Sequence, residues 1–262
     1  MKKCFDDLTI ADDFMFCKVM QDEGLCKQFL EMILAGDIRK ITYLSSQNAV
    51  VTGSESKSVR LDLLVKDETG KSYDIEMQVS NEYNLPKRMR YYQAAIDIAF
   101  LDKGVHYKIL NDSYIIFICL FDAVGKGNPL YTFENVCLED KQTLLQDGTK
   151  KVIINAEAFR KAEDAELKGF LDYLKTGKVN TDFTWRIETM IQAVKRNEQA
   201  RQEYRIISAF EMDAREEGRS EGFAEGSYKK AIETAKAFKR LGFDIAKIAE
   251  GTGLSKEEIE KL

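Results

Sequence analysis

Two segments of the sequence decide the fold: VRLDLLV, residues 59–65, and YDIEMQV, residues 73–79. In both, apolar residues recur at every second position, which is the period of a half-buried β-strand. The loop between them, Glu68-Thr69-Gly70 with Gly70 in the left-handed conformation, is a common hairpin connection. The sequence therefore predicts an antiparallel hairpin.

This loop pairs Asp67 with Lys71 and thereby sets the register of the whole hairpin. One face then carries only apolar pairs: Val65 with Tyr73, Leu63 with Ile75, Leu61 with Met77 and Val59 with Val79. The other face pairs Leu64 with Asp74, Asp62 with Glu76 and Arg60 with Gln78. A slip of one residue would set apolar against charged side chains throughout, so the register is strongly specified.

In this register the β-carbons of Asp62 and Glu76 lie about 5 Å apart. Two opposed carboxylates repel each other unless one is protonated or a cation lies between them. Two oxygen donors on rigid strands suit a hard divalent cation such as Mg²⁺. An alternative stays open from the residues alone: a solvated outer face on which Asp62, Asp74 and Glu76 only meet water, with Arg60 partly offsetting their charge.

Composition narrows the function classes. The chain has 262 residues, 44% of them hydrophobic and 32% charged, which is enough for one large domain or a domain with an appendage. The single histidine, His106, argues against zinc peptidases and histidine–metal nucleases. The net charge of −5 gives no global attraction for nucleic acid, so such binding must depend on local patches or metal ions.

Location is predicted from the same composition. Five cysteines include no C-x-x-C pair, and the N-terminus has no apolar stretch of the signal-peptide kind. No apolar run approaches the roughly 20 residues of a membrane helix. We therefore expect reduced thiols, a cytoplasmic protein and no membrane association.

The remaining patterns place a sheet between two helical regions. Residues 1–35 have helical periodicity, residues 38–152 contain the strands, and the chain after about Asn155 is helical. The uniformly apolar residues 114–121 predict a central strand covered on both faces. Asp147-Gly148 predicts a hairpin between residues 143–146 and 151–154. We expect an α/β domain at 1–177, a long helical linker or oligomerisation segment at 178–227 and a small helix-turn-helix-like appendage at 228–262.

The helical region carries three further signals. Asp182 is a candidate cap for a long helix. Gly218, Gly222 and Gly226 recur at four-residue spacing, which either admits a partner helix or marks a hinge. Residues 245–259 have the rhythm of a helix-turn-helix, with Ser255 and Glu258 forming a capping box. Because the last helix is rich in glutamate, protein contact is favoured over DNA reading.

The hairpin and three flanking motifs resemble a known family. Asp62, thirteen intervening residues and Glu76-x-Gln78 resemble the core of the PD-(D/E)XK nucleases. With DDFMF at 12–16, RLD at 60–62, IEMQ at 75–78 and PKRMRYYQ at 86–93, the chain looks like the Rpn family of recombination-promoting nucleases, also labelled transposases. The similarity covers residues 1 to about 210 and continues more weakly to the end of the chain. It implies an α/β fold with a restriction-endonuclease-like core, a central mixed sheet flanked by helices, followed by a helical C-terminal extension.

The resemblance also implies site residues. It assigns metal binding to Asp62 and Glu76, with Asp13 as a further acid from the first helix, although Asp12 or Asp13 could instead be a plain N-cap. Gln78 stands where the superfamily has a lysine that positions the attacking water, so Gln78 is expected to orient that water. We expect a lysine at position 78 to be tolerated.

The segment after the second strand predicts a helix with Pro86 in its first turn and Asn84 as its cap. Arg88, Tyr91 and Tyr92 share one face of this helix. We expect Tyr91 to pack in the core. The candidates for phosphate contact, or for orienting Glu76 and Gln78, are Arg88, Lys87, Arg90, Tyr92 and Gln93.

These features predict a Mg²⁺-dependent DNA endonuclease of low sequence specificity, in which Mn²⁺ can replace Mg²⁺. Such an enzyme would promote recombination or serve mobile elements or defence, and would pair as a homodimer through its C-terminal helices. The rival hypothesis is a catalytically silent DNA-associated or oligomerisation protein that keeps the fold, which Gln78 and the acidic last helix favour. An RNase H-like transposase would need another catalytic acid on a later helix, and no residue stands out for that role.

Overall fold

A computed structural model describes residues 3–34, 36–50 and 59–262, and within them the side chains outside residues 43–60. Its strands are β1 (Ile41–Val50), β2 (Val59–Asp67), β3 (Ser72–Gln78), β4 (Ser113–Cys119), β5 (Leu130–Phe133) and β6 (Thr149–Asn155). Its helices are α1 (Asp13–Met20), α2 (Glu23–Leu34), α3 (Leu85–Phe100), α4 (Ala165–Thr176), α5 (Asp182–Lys195), α6 (Glu198–Arg240), α7 (Ile245–Thr252) and α8 (Lys256–Glu260).

The six strands form one mixed sheet in the order β1-β2-β3-β4-β6-β5. β1, β2 and β3 are antiparallel neighbours, whereas β3, β4 and β6 run parallel and β5 is antiparallel to β6. The carboxyl ends of β3, β4 and β6 therefore meet at one edge of the sheet. The predicted mixed α/β fold with a helical C-terminal extension is confirmed.

The β2–β3 hairpin has the predicted register. Val65 pairs with Tyr73, Leu64 with Asp74 and Leu63 with Ile75, and Gly70 has φ of 85°. The Asp67 carboxylate closes the turn by accepting hydrogen bonds from Thr69, Lys71 and the Tyr73 hydroxyl. The predicted partners of Val79 and Gln78 across the hairpin, Val59 and Arg60, have side chains outside the described set.

Helices cover both faces of the sheet. On one face the N-terminal helices interlock with α4 and α5 through Phe16, Phe29, Phe170 and Phe183, whose successive ring centroids lie 5.5–6.3 Å apart. On the other face α3 packs over β4 in a cluster that includes Leu64, Met89, Ile115 and Phe117. β4 is buried along its whole length, as predicted for a central strand.

Two local predictions, the second hairpin and the helix cap, are wrong. Residues 143–146 form no strand beside β6, because β4 and β5 already occupy both of its edges, and only an isolated bridge joins Val136 and Leu144. Thr181 rather than Asp182 caps α5, in a capping box with Thr184. The first helical region is divided at Asp22, whose carboxylate accepts a hydrogen bond from the Leu25 N–H.

The chain divides into two compact units, residues 1–201 and 202–262. In the second unit, α7 and α8 pack on α6 around Ala235, Ile248, Leu254 and Ile259, and the predicted Ser255–Glu258 capping box is present. The domain boundaries expected at 177 and 227 stay a prediction. None of the described helices combines the length and apolar character needed to cross a membrane.

The glycine stripe, formed by Gly218, Gly222 and Gly226, lies inside α6. This helix is continuous from Glu198 to Arg240, so the stripe marks no break in it. A β-carbon added at Gly218, Gly222 or Gly226 would meet no described atom within 4 Å. No other helix of the described part of the chain therefore packs closely against these glycines.

Candidate active site

β2 and β3 stop pairing through their backbones at the level of two acidic side chains. Regular pairing extends from Lys66–Ser72 to Leu63–Ile75. Beyond it, the Asp62 N–H donates to Glu76 Oε1 at 2.8 Å, and the Met77 N–H donates to Asp62 Oδ2 at 3.2 Å. Each carboxylate thus accepts a main-chain hydrogen bond from the opposite strand. These reciprocal bonds hold Asp62 and Glu76 beside each other, as the register predicts.

The acidic face of the hairpin is buried under α3. Asp74 is fully buried, the side chain of Glu76 is 4% exposed, and only Asp62 reaches partly into solvent. The alternative of a solvated outer face is therefore wrong. Its physical reason is that the neighbouring strand β4 is apolar on this face and recruits α3 as a cover.

Burial and mutual repulsion together raise the pKa values of the two buried acids, Asp74 and Glu76. Burial first, and then the charge of Asp62, raise the pKa of Asp74 well above its ordinary value. Burial, followed by the charges of Asp74 and Asp62, likewise raises the pKa of Glu76. The hydrogen bond from the Asp62 N–H and the charge of Arg88 act in the opposite direction on Glu76 without compensating for burial.

Asp74 is the group that most requires a partner. Glu76 lies close enough to share a proton with it, yet no N–H or hydroxyl group of the described residues donates to either Asp74 oxygen. A buried carboxylate without donors is costly unless a proton or a cation neutralises its charge. The oxygens of Asp62, Asp74 and Glu76 match the chemistry that a hard divalent cation prefers.

No three histidine, cysteine or acidic side chains of the described residues have metal-binding geometry as they stand. We therefore expect the carboxylates to reorient when a cation binds. Asp74 was not a predicted site residue, although the sequence contained the signal. It precedes Glu76 by two positions and so shares its face of the strand.

Arg88 supplies a positive charge to the same site. From the first turns of α3, its Nη1 donates to Gln78 Oε1 at 2.6 Å, and its Nη2 lies 3.5 Å from Glu76 Oε2. Nη2 also donates to the Tyr92 hydroxyl at 3.1 Å. The guanidinium lies 5.1 Å from the centre of the Phe117 ring, which supports it from the sheet below. Arg88 and Tyr92 thus lie where the sequence predicts site-orienting residues.

Gln78 uses both ends of its amide. Oε1 accepts from Arg88, and Nε2 donates to the Ser80 carbonyl at 2.7 Å. A lysine at this position would bring a second cation against the guanidinium. The hydrogen bond leads to a new expectation for position 78, because a neutral acceptor suits Arg88 better than a lysine would.

The other predicted residues are distributed around this centre. Lys87 and Arg90 are exposed on α3. Gln93 turns away to the Ser113 hydroxyl at the start of β4. Tyr91 is 40% exposed, so the prediction that it packs in the core is wrong. The buried stripe of α3 passes through Leu85, Met89, Gln93 and Ile96 and leaves Tyr91 outside.

Asp13 is exposed at the first position of α1. One turn later, the Cys17 thiol donates to the Asp62 carbonyl at 3.1 Å, which places α1 beside the acidic site. The side chains of residues four apart lie on the same side of a helix. Asp12 is the N-cap residue, but its carboxylate bonds to Thr9 and Lys3 instead of to the helix.

Because Asp74 is buried without donors, Asp74→Asn should stabilise the metal-free protein. We expect the free energy of unfolding in EDTA at neutral pH to rise by about 1–3 kcal/mol. Added Mg²⁺ should raise the melting temperature of the unmodified protein and leave that of Asp74→Asn nearly unchanged. The exposed Asp102→Asn is the control in both measurements. A loss of stability in Asp74→Asn, together with a normal response to Mg²⁺, would show that Asp74 is not part of a cation site.

Comparison with known proteins agrees with this geometry. Neither the curated proteins nor the solved structures include a significant match to the chain. Residues 11–235 match the family described as PD-(D/E)XK nuclease family transposase, and this segment contains the acidic hairpin, α3 and most of α6. Since the match extends over most of the sequence, the chain belongs to the PD-(D/E)XK nuclease family transposases.

Proposed function

We propose that this protein is a divalent-cation-dependent endonuclease that hydrolyses DNA phosphodiester bonds with little sequence specificity. The observation that carries the proposal is the group of Asp62, Asp74 and Glu76 beside Arg88, in which Asp74 and Glu76 are buried and no N–H or hydroxyl group of the described residues donates to Asp74. Membership of a nuclease family gives this acidic group its reaction class.

Asp62, Asp74 and Glu76 are the residues that would hold the cation, and Asp13 could add a ligand from α1. Mg²⁺ is the proposed physiological ion, and Mn²⁺, which also prefers oxygen ligands, would replace it. The bound ion would supply Lewis-acid activation of water and neutralise charge on the phosphate.

The chain itself would bind and orient the phosphodiester. Arg88 offers a fixed guanidinium to the phosphate oxygens, where negative charge increases in the transition state. Gln78 and Tyr92 hold Arg88 in place, which makes them positioning residues. Lys87 and Arg90, exposed on the same helix, would contact neighbouring phosphates. Because phosphate contacts carry no base information, low sequence specificity follows.

The rival proposal is a silent protein that binds DNA or assembles without cutting it. The observation in its favour is the absence of a lysine at position 78, which removes one of the usual charges. Arg88 would replace that positive charge, because its guanidinium lies 3.5 Å from the Glu76 carboxylate.

The two proposals differ in a plasmid-nicking assay. We expect the full chain to nick supercoiled DNA with Mg²⁺ or Mn²⁺ but not with EDTA. Asp62→Ala and Glu76→Gln should lower the rate by at least about 100-fold, since each removes part of the cation site. Asp102→Ala should cut normally. DNA binding without metal-dependent cutting would favour the silent protein and contradict the nuclease.

Position 78 gives a sharper expectation. Gln78→Lys should lower the turnover rate by about 10- to 100-fold, because it repels Arg88 from its place beside Glu76. The double variant Gln78→Lys/Arg88→Gln restores one cation and one neutral partner, so it should recover part of the loss. Gln142→Lys, an exposed change of the same type, is the control. If Gln78→Lys cuts as fast as the unmodified protein, the Gln78–Arg88 pair does not position the site.

We also propose that two chains pair through the C-terminal helices, because cutting both strands of a duplex with one site per chain needs two copies. α6 carries Phe210, Met212 and Phe223 largely exposed, and its glycine stripe leaves room for a close neighbour. Recombination, mobile-element transfer or defence in the cytoplasm are the proposed settings for such cutting.

Sedimentation tests the pairing. The full chain should sediment as a dimer, whereas Gly222→Leu and Phe223→Glu should shift it to monomer by blocking close approach or adding charge to the interface. Tyr107→Glu changes an exposed aromatic residue of the first unit and should leave the dimer intact. A full chain that remains monomeric at high concentration would contradict this part of the proposal.

A further inference from the structure

Two further segments, the loop after β4 and the short helix after β6, lie at the edge of the sheet beside the acidic site. Because β3, β4 and β6 run parallel, the loop after β4 and the short helix Ala156–Lys161 after β6 lie at the same edge as Gln78. Adjacent strands are about 4.8 Å apart, so β6 ends about 10 Å from β3. At roughly 3.4 Å per nucleotide, this distance corresponds to about three nucleotides of a DNA strand.

The loop after β4, residues 120–129, is held rigidly next to Gln78. The Leu120 N–H donates to the Gln78 carbonyl at 3.1 Å. The Asp122 carboxylate accepts from the N–H groups of Val124, Gly125 and Gly127 at 2.7–3.1 Å, and from the Tyr131 hydroxyl. Gly125 and Gly127 have φ of 76° and 68° and flank the exposed Lys126. The loop therefore presents this lysine to solvent from a fixed turn.

Asn155 joins this loop to the short helix after β6. Its side chain is buried, with Nδ2 donating to the Asn128 carbonyl at 3.1 Å and Oδ1 accepting from the Glu157 N–H at 3.0 Å. The Asn155 N–H donates to the Pro129 carbonyl at 2.9 Å. Lys161 from the helix reaches back to the loop, where its Nζ would be 2.9 Å from a β-carbon at Gly127. Lys161 thus lies against the turn that carries Lys126.

A third lysine reaches the same edge from α4. Lys175 Nζ donates to the Leu120 carbonyl at 3.0 Å and lies 3.8 Å from Glu157 Oε1. Glu157 therefore offsets part of its charge, while the Asp122 carboxylate is already satisfied by its own loop. The three lysines come from three separate elements, and each belongs to or contacts the loop after β4 at this edge of the sheet.

We propose that Lys126, Lys161 and Lys175 form a phosphate-binding rim that holds the DNA backbone next to the acidic site. The rim rests on the proposed nuclease function and specifies where its substrate lies. DNA would extend from the carboxylates across the ends of β4 and β6, with each ammonium group acting as a point charge toward a phosphate. These lysines position the strand and take no part in the hydrolysis.

Salt dependence of DNA binding tests the rim. Each phosphate contact contributes about 0.9 to the slope of log K against log salt concentration. For the full chain with Ca²⁺ and a short fluorescent DNA duplex, the triple variant Lys126→Gln/Lys161→Gln/Lys175→Gln should lower this slope by about 2.7. Between 50 and 200 mM NaCl, this change reduces the salt-induced loss of affinity by about 40-fold.

Two control proteins separate charge from folding. The corresponding triple arginine variant keeps every positive charge and should keep the slope. Lys103→Gln removes an exposed lysine beside Gly104, in the loop that precedes β4 at the opposite edge of the sheet, and should also leave the slope unchanged. With Mg²⁺, the triple glutamine variant should show a raised KM and an unchanged kcat.

The outcomes distinguish the rim from the nuclease. If the unmodified protein cuts DNA in an Asp62-dependent manner while the glutamine variant keeps the full slope, the rim is wrong and the nuclease stands. If the arginine variant loses the slope as well, the effect is not one of charge and the rim is also wrong. If the unmodified protein neither binds nor cuts DNA, both proposals are overturned.

Discussion

The repulsion among three clustered carboxylates, of which Asp74 and Glu76 are buried and Asp62 is half-buried, is the constraint on which the rest of this site depends. Asp62, Asp74 and Glu76 share one face of a hairpin, and burial by α3 strengthens each charge–charge interaction. The strands respond by giving up their backbone ladder at this level, so that main-chain N–H groups serve Asp62 and Glu76 instead. Asp74 receives no such donor from the described residues. The cluster thus lowers the stability of the metal-free protein, and a bound cation would restore this stability by neutralising the acids.

The Gln78–Arg88 pair places a positive charge on the helix beside Glu76 and a neutral side chain on the strand. A strand lysine and a helix arginine at this place would repel each other, whereas glutamine accepts a hydrogen bond from the guanidinium. The arginine is also planar, supported by Phe117 and able to contact two oxygens at once, which a lysine cannot do. Substitution at the family's lysine position is therefore best judged together with the helix that follows.

The local sequence pattern predicted the hairpin correctly. Apolar residues at every second position and the turn glycine Gly70 allow only one register in which one face of the hairpin is entirely apolar. The pattern could not predict which acids are buried, since α3 covers Asp74 through contacts with β4, a strand almost forty residues later in the chain. The same limit explains the false hairpin at Asp147-Gly148. The chain does bend at Gly148, but the strands beside β6 are β4 and β5, which lie elsewhere in the sequence.

The central claim is that the three carboxylates form one cation site, and anomalous diffraction from crystals grown with Mn²⁺ tests it most directly. The account predicts a single anomalous peak within about 2.0–2.3 Å of oxygens from Asp62, Asp74 and Glu76. It also predicts that the peak disappears in Asp74→Asn crystals. A peak elsewhere would contradict this claim. So would the absence of a peak at saturating Mn²⁺ in crystals that keep the hydrogen bonds from the Asp62 N–H to Glu76 and from the Met77 N–H to Asp62.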